Sequence, residues 1–209
     1  MRATLIGRFL LLAIVWLAVL LPAWYWAAHW LAAPPIWLAG TVMKALFSWV
    51  EGFEQEGVTA VLRTLVQVRM PGPQGADMLG ELTPEVGYPI YGYGLVLLWA
   101  MLLAARTRRW WLKGLAGSLL LFPMQAWGIC FQWLRDVALL SGPAGAAYLN
   151  YPRWANELVA YGYQFGFLML TPVAPILLWL LFNKRFVAAL WLEAALEGPP
   201  GQNTGPPLK

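Results

Sequence analysis

The chain has 209 residues, of which 60% are hydrophobic and only 11% are charged, and its formal net charge is +4. A soluble core cannot absorb so much apolar surface, so this composition excludes an ordinary soluble domain and indicates a polytopic membrane protein. A single cysteine excludes an internal disulfide framework, and one cysteine with one histidine argue against a zinc or haem site within the chain. Neither a glycine-rich phosphate loop nor a nucleic-acid motif is present, so we expect no cofactor and no nucleic-acid partner.

The fold class that we predict is an all-α polytopic membrane protein with about four transmembrane helices, an interfacial amphipathic helix and a small extracytoplasmic β-hairpin or meander. A charge-free stretch runs from Phe9 to Thr41 and exceeds the roughly 20 residues that one span needs. We expect Pro34-Pro35 to divide it, because proline interrupts the hydrogen bonds of a helix. Residues 1–33 then form a transmembrane signal anchor, with its span at about 10–32.

Residues 34–50 are predicted to form the interfacial amphipathic helix. Thr41, Lys44, Ser48 and Glu51 recur at steps of three and four residues and form one polar stripe. A helix with such a stripe is expected to lie in the plane of the interface. A re-entrant half-helix is the competing interpretation.

Residues 51–88 are predicted to form the extracytoplasmic β-element. Turn signals of glycine and glutamate precede a run rich in valine, threonine and leucine. Apolar side chains fall on one face of this run at period two, with Thr64 between them; they are Val58, Ala60, Leu62, Val66 and Val68.

Three further spans are predicted at about 89–105, 114–134 and 158–182. Together they form a three-helix membrane bundle over residues 89–193. A disordered cytoplasmic tail, rich in glycine and proline, is predicted for residues 194–209.

Basic residues predict the orientation of these spans. Arg2 and Arg8, the loop Arg106–Lys113 and the pair Lys184-Arg185 all fall on one side of the membrane if there are four spans. Because lysine and arginine are enriched in cytoplasmic loops, we expect a multi-pass protein with both termini in the cytoplasm and the β-element outside.

Two predicted spans carry polar side chains along one helical face. The third span contributes Gln125, Gln132 and Arg135, and the fourth contributes Glu157, Tyr161 and Gln164. Polar groups in hydrocarbon need partners, so the simplest arrangement packs the two stripes together, with Arg135 and Glu157 near the outer boundary. Asp136 adjoins Arg135, and the simpler interpretation is that it balances this charge. Adhesion between helices is one interpretation of these stripes, and a binding groove for a ligand or a partner protein is the other.

Cys130 lies roughly 200° around the helix from Gln132 and therefore away from the polar stripe. A cysteine nucleophile reacts as the thiolate, which apolar surroundings disfavour, and it needs a nearby base. The single histidine, His29, lies on another predicted span, where a boundary histidine is the simpler interpretation. We therefore expect no catalytic residue and no enzyme. A cysteine-dependent membrane peptidase or transpeptidase is the alternative, and a small-solute transporter is the second.

The second half of the chain is similar in layout to the exosortases and archaeosortases. It has a basic loop, a helix that ends in "QWLRD", an outer loop, a long final helix and a basic stop. That group contains polytopic transpeptidases that use a cysteine, an arginine and a histidine, in this order along the chain. Arg135 matches the arginine, but no histidine follows Cys130, and Tyr163 or Gln164 falls where the histidine is expected. The resemblance therefore does not imply catalysis.

Nearly the whole chain resembles the exosortase H-associated membrane proteins. The similar stretches are "WVEGFEQEG", "YGYGLVLLWAMLLAAR", "FPMQAWGICFQWLRDVAL", "YGYQFGFLMLTPVAPILLW" and "NKRFVAAL". The resemblance implies the bacterial inner membrane and a protein-sorting system. We therefore expect an accessory protein that lies in the lipid bilayer and binds an exosortase or the membrane protein that the exosortase sorts.

Overall fold

The computed structural model describes residues 5–71, 77–141 and 152–196, and most of these residues are helical. The first helix, α1, runs without interruption over Leu5–Leu46, so the predicted break at Pro34-Pro35 is not observed. Of the separate helix predicted for residues 34–50, residues 34–46 instead form the last part of α1, and Val50 already begins the first strand. At a rise of 1.5 Å per residue, the 42 residues of α1 extend about 63 Å, roughly twice the hydrocarbon thickness of a bilayer.

The second half of α1 stays helical because packing opposes the local effect of the two prolines. Its buried side chains recur at steps of three and four residues and are 0–1% exposed; they are Ala28, Ala32, Ile36, Ala39 and Met43. One face of the helix is therefore sequestered against the rest of the protein. Proline is tolerated within such a helix, because each proline removes only one backbone hydrogen bond and the packing against neighbouring elements offsets this loss.

Five short strands follow α1, namely β1 (Val50–Glu56), β2 (Thr59–Thr64), β3 (Gln67–Pro71), β4 (Asp77–Glu81) and β5 (Glu85–Gly87). They form a three-stranded sheet in the order β1-β2-β5 and a two-stranded sheet of β3 and β4, with every pair antiparallel. Thr64 is fully buried and its hydroxyl donates to the carbonyl oxygen of Leu82 at 2.7 Å. The alternating apolar positions face the core, since Ala60, Leu62 and Val66 are almost completely buried.

Contacts between β1 and α1 fix the sheet to the membrane helices. The ring of Phe53 occupies the space that a Cβ at Gly40 would fill. At the turn between β1 and β2, the Nδ1 of His29 donates to the carbonyl oxygen of Gly57 at 2.9 Å. The Gln55 side-chain amide donates to the carbonyl oxygens of His29 and Gly57, at 2.7 and 2.8 Å. His29 is therefore part of the joint between α1 and the sheet.

The remaining helices are α2 (Pro89–Ala104), α3 (Trp110–Leu140), α4 (Arg153–Gln164), α5 (Thr171–Phe182) and α6 (Lys184–Leu196), with a π-helix (Phe165–Leu170) that joins α4 to α5. Helix α2 lies at the centre of the bundle and packs against α1, α3 and α5. Its Leu98 and Leu102 are fully buried. Close packing relies on glycine, because a Cβ at Gly117 of α3 would overlap Leu98.

Three helical segments in the described ranges are long and apolar enough to cross a membrane: Leu5–Leu46, Trp110–Leu140 and Arg153–Phe182. They contain three of the four spans that the sequence predicts. The other, α2, is apolar but has 16 residues and extends about 24 Å, which is short of a 30 Å hydrocarbon core. Of the predicted tail, residues 194–196 end α6 and residues 197–209 lie outside the described ranges.

The π-helix ends two residues before Pro172. This proline stands in the first turn of α5 and has no N–H to donate, so the backbone ladder is interrupted there. The preceding six residues take up wider turns, and the hydroxyl of Thr171 donates to the carbonyl oxygen of Gly166 at 2.9 Å. A side chain thereby satisfies one backbone acceptor within the π-helix.

Candidate partner-binding site

Cys130 is buried in α3, and its Sγ donates a weak hydrogen bond to the carbonyl oxygen of Ala39 at 3.6 Å. His29 precedes Ala39 by ten residues on the same helix, a separation of about 15 Å along the axis. The imidazole of His29 is bonded to the turn at Gly57. The structure therefore does not bring the thiol and the imidazole together. In the described ranges, no group of three His, Cys, Asp or Glu side chains is placed to hold a metal ion.

The polar side chains of α3 make contacts within the bundle. The amide oxygen of Gln132 accepts a hydrogen bond from the hydroxyl of Tyr91 on α2 at 2.9 Å. Arg135 donates to Asp136 Oδ1 from Nε at 2.9 Å and from Nη2 at 2.6 Å. Its guanidinium also lies 4.1 Å from the ring centre of Tyr163. Arg135 is thus held by its neighbour in sequence and by a tyrosine of α4, and Glu157 is not its partner.

Gln125 is the buried member of this group, with 4% of its surface exposed. Neither its amide nitrogen nor its amide oxygen has a hydrogen-bond partner among the described residues. A small void of about 10 Å³ lies beside it, between Tyr91 and Thr171. This volume is at the lower limit of what a cavity needs to hold one water molecule, which would suit an amide with free donors and acceptors.

The polar residues predicted on the fourth span, Glu157, Tyr161 and Gln164, lie on the exposed face of α4. Tyr161 is 69% exposed, and among the described residues the ion-pair partner of Glu157 is exposed Arg153, at 3.6 Å. The expected packing of the two polar stripes against each other is therefore wrong. The stripe of α3 faces the bundle, whereas the stripe of α4 faces away from it.

Helix α4 and the π-helix contact α3 through small residues instead. A Cβ at Gly162 would overlap the ring of Phe131, and one at Gly166 would lie 3.1 Å from Trp127. The indole N–H of Trp127 donates to the carbonyl oxygen of Gly162 at 3.1 Å. Because small residues let two helices approach closely, the glycine face takes the contact and turns the polar face outward.

An apolar groove of about 690 Å³ lies beside the polar face of α4. The end of α1, the middle of α3 and the first turns of α4 line it; its walls include Leu38, Val42, Phe47, Trp127, Phe131 and Leu158. Cys130 is also part of this wall. Trp154 and Leu158 belong to the groove and lie on the same helical face as Tyr161, so the groove and the polar stripe form one continuous surface. We call this surface the α4 face.

Sequence periodicity identified half of the α4 face and missed the groove. The three- and four-residue spacing of Glu157, Tyr161 and Gln164 places them on one side of a helix, but it does not tell which side the bundle covers. The glycines at 162 and 166 are the signal that could have decided this, since they mark the side of closest approach. The groove depends on the meeting of three helices, which no local pattern reports.

The model of one protein family, the exosortase H-associated membrane proteins, matches residues 3–186 of the chain. No curated protein and no solved structure matches it. The match includes α1, both sheets and the helices that build the α4 face. Apolar helices long enough to cross a membrane agree with the family description. The chain therefore belongs to the exosortase H-associated membrane protein family.

Proposed function

We propose that this protein is a non-enzymatic accessory protein of the bacterial inner membrane that binds an exosortase through the α4 face. The family is described as exosortase H-associated, and this description supports an exosortase as the partner. The observation that carries the proposal is the exposure of Glu157, Tyr161 and Gln164 on a helix that is long and apolar enough to cross a membrane.

Polar side chains that face hydrocarbon lack hydrogen-bond partners, and this costs free energy. Gln164 lies about 16 Å along the helix from Arg153, so it reaches well into the bilayer if Arg153 lies at the boundary. A helix from a second membrane protein, with its own polar groups, would satisfy Tyr161 and Gln164. Hydrogen bonds of this kind contribute on the order of 1 kcal/mol each between membrane helices.

The groove supplies the apolar part of the same contact. Its lining is almost entirely apolar, and Trp154 and Leu158 at its edge are largely exposed. Association within a membrane is driven by close packing and hydrogen bonds rather than by removal of apolar surface from water. A groove next to a polar stripe offers both of these interactions to one inserted helix.

The surroundings of Cys130 support an accessory role over catalysis by this thiol. The sulfur contacts a backbone carbonyl oxygen, and the single histidine is engaged by the sheet. Of the residues that match the exosortase layout, Arg135 contacts Tyr163, which stands near the position expected for the histidine. A tyrosine at this place supplies no imidazole base.

Site-specific photo-crosslinking in cells that contain a tagged exosortase tests this proposal. A photoreactive amino acid is placed at Tyr161, and the matched control is Leu177, which is exposed on α5 outside the α4 face. We expect a crosslink to the exosortase from position 161 and none above background from position 177. No crosslink at 161, or equal crosslinks at both positions, would contradict the proposal. A crosslink to the sorted protein alone would reassign the α4 face to the substrate and contradict its assignment to the enzyme.

A further inference from the structure

A second cavity, of about 560 Å³, lies where the turn between α2 and α3 meets the junction of α5 and α6. Four cationic residues line it, namely Arg108, Lys113, Lys184 and Arg185. No carboxylate pairs with any of the four among the described residues, whose ion pairs all lie elsewhere. Four positive charges around one cavity without a counter-charge predict an anionic ligand.

The cavity is built by a specific backbone geometry. Arg106 and Arg109 have positive φ angles, of 47° and 59°, so two non-glycine residues adopt the left-handed conformation within one short turn. This conformation is unfavourable for residues with a Cβ and persists only where the surroundings hold it. The two residues between them, Thr107 and Arg108, line the cavity.

Hydrogen-bond donors are fixed around the cavity. Asn183 is 3% exposed; its amide nitrogen donates to the carbonyl oxygen of Trp179, and its amide oxygen accepts from Lys113 Nζ, both at 2.8 Å. The hydroxyl of Thr107 is buried without a hydrogen-bond partner among the described residues. The site thus offers charged donors and an unused hydroxyl, which suit a ligand with several acceptor oxygens.

The walls of the cavity also determine the kind of anion. Leu181, Phe182 and Phe186 line it together with the cations, so one side is apolar. Exposed Trp110 and Trp111 begin α3 nearby, as is typical of helices at the level of lipid headgroups. A basic pocket at the end of membrane helices with an apolar wall matches a phosphate headgroup that continues into acyl chains.

We propose that this cavity binds the phosphate headgroup of an anionic phospholipid from the leaflet on its side of the membrane. The cations neutralise the phosphate, and the apolar wall receives the first part of the acyl chains. The bound lipid joins the α2–α3 turn to the α5–α6 junction. The proposal concerns the end of the bundle that carries the basic turn, and it does not depend on the α4 face.

Lipid binding by the purified full chain tests the proposal. The Arg108→Gln/Arg185→Gln variant removes two charges from the cavity, and the Arg63→Gln/Arg153→Gln control removes two exposed charges elsewhere. Thermal unfolding is followed in nanodiscs of phosphatidylcholine with and without phosphatidylglycerol. We expect phosphatidylglycerol to raise the unfolding temperature of the wild type and of the control equally. The apparent affinity of the cavity variant for phosphatidylglycerol should fall roughly tenfold or more, because each basic residue near an anionic surface strengthens binding several-fold.

An equal response of the two variants would overturn the proposal. The proposal would also be overturned if inorganic phosphate stabilised the detergent-solubilised protein as much as phosphatidylglycerol does. The cavity would then bind a free anion rather than a lipid. A second measurement does not depend on the variants. Mass spectrometry of the lipids that copurify with the wild type should show phosphatidylglycerol or cardiolipin enriched over the bulk membrane, and a composition equal to the bulk would contradict the proposal.

Discussion

The ion pair of Arg135 shows how a single residue finds its partner in this protein. Its guanidinium donates twice to the neighbouring carboxylate of Asp136 and lies over the ring of Tyr163. The sequence places Asp136 directly after Arg135, and it predicts Glu157 on the second polar stripe near the same boundary. Periodicity gives the side of a helix on which a residue lies, but it does not give the rotation of the neighbouring helix. Adjacency in the sequence was therefore enough to indicate Asp136, whereas the outward orientation of Glu157 on α4 was beyond the sequence.

The pair makes a quantitative prediction at this scale. Asp136→Asn should lower the free energy of unfolding by about 1–3 kcal/mol, because the partly buried guanidinium loses its charged acceptor. Glu157→Gln should change it by less than about 0.5 kcal/mol, because Glu157 and Arg153 are both exposed. Unfolding in mixed micelles with increasing SDS measures both values. A larger loss for Glu157→Gln would contradict the assigned pair.

Among the elements, α1 and α4 differ most from their predictions. A proline pair usually ends a helix, and the sequence carries no sign that one face of α1 will be buried as far as Met43. The β-structure was easier to anticipate, since alternating apolar residues in 51–88 report a local period of two. Which face of α4 is exposed and which face of α1 is buried depend on contacts between segments that are distant in the sequence, and a local pattern does not report such contacts.

The contact of α4 with α3 makes a prediction at the element scale. Gly162→Ala should lower the free energy of unfolding by about 1–3 kcal/mol, because the added Cβ overlaps the ring of Phe131. That ring is stacked on Trp127 with centroids 4.6 Å apart, so it cannot move away without disturbing a second contact. Gly52→Ala is the matched control, since no atom lies within 4 Å of its added Cβ.

The Gly52→Ala variant should keep the stability of the wild type in the same SDS titration. Equal losses in the two variants would show that Gly162 does not lie at a close contact between α3 and α4. The outward orientation of the polar face of α4 would then lose its physical explanation.

At the scale of the whole molecule, the composition was sufficient to predict a helical membrane protein, and the quoted stretches were sufficient to predict its family. The site was predictable only in part. Tyr161 and its polar neighbours are visible in the sequence, but the groove beside them forms where α1, α3 and α4 meet. The continuity of α1 past its prolines creates one wall of this groove, and the sequence predicts a break there.

At this scale, the proposed function depends on the α4 face, and Cys130 is expected to contribute packing alone. The most direct test is the processing of a sorted protein in cells that carry Cys130→Ala or Glu157→Ala/Tyr161→Ala/Gln164→Ala in place of the wild type. Cys130→Ala should leave processing at the wild-type level. The triple variant should accumulate normally in the membrane and lose most of the processing. Loss of processing in Cys130→Ala, with normal accumulation of that variant and no defect in the triple variant, would contradict the proposed role of the α4 face and the inert role of Cys130.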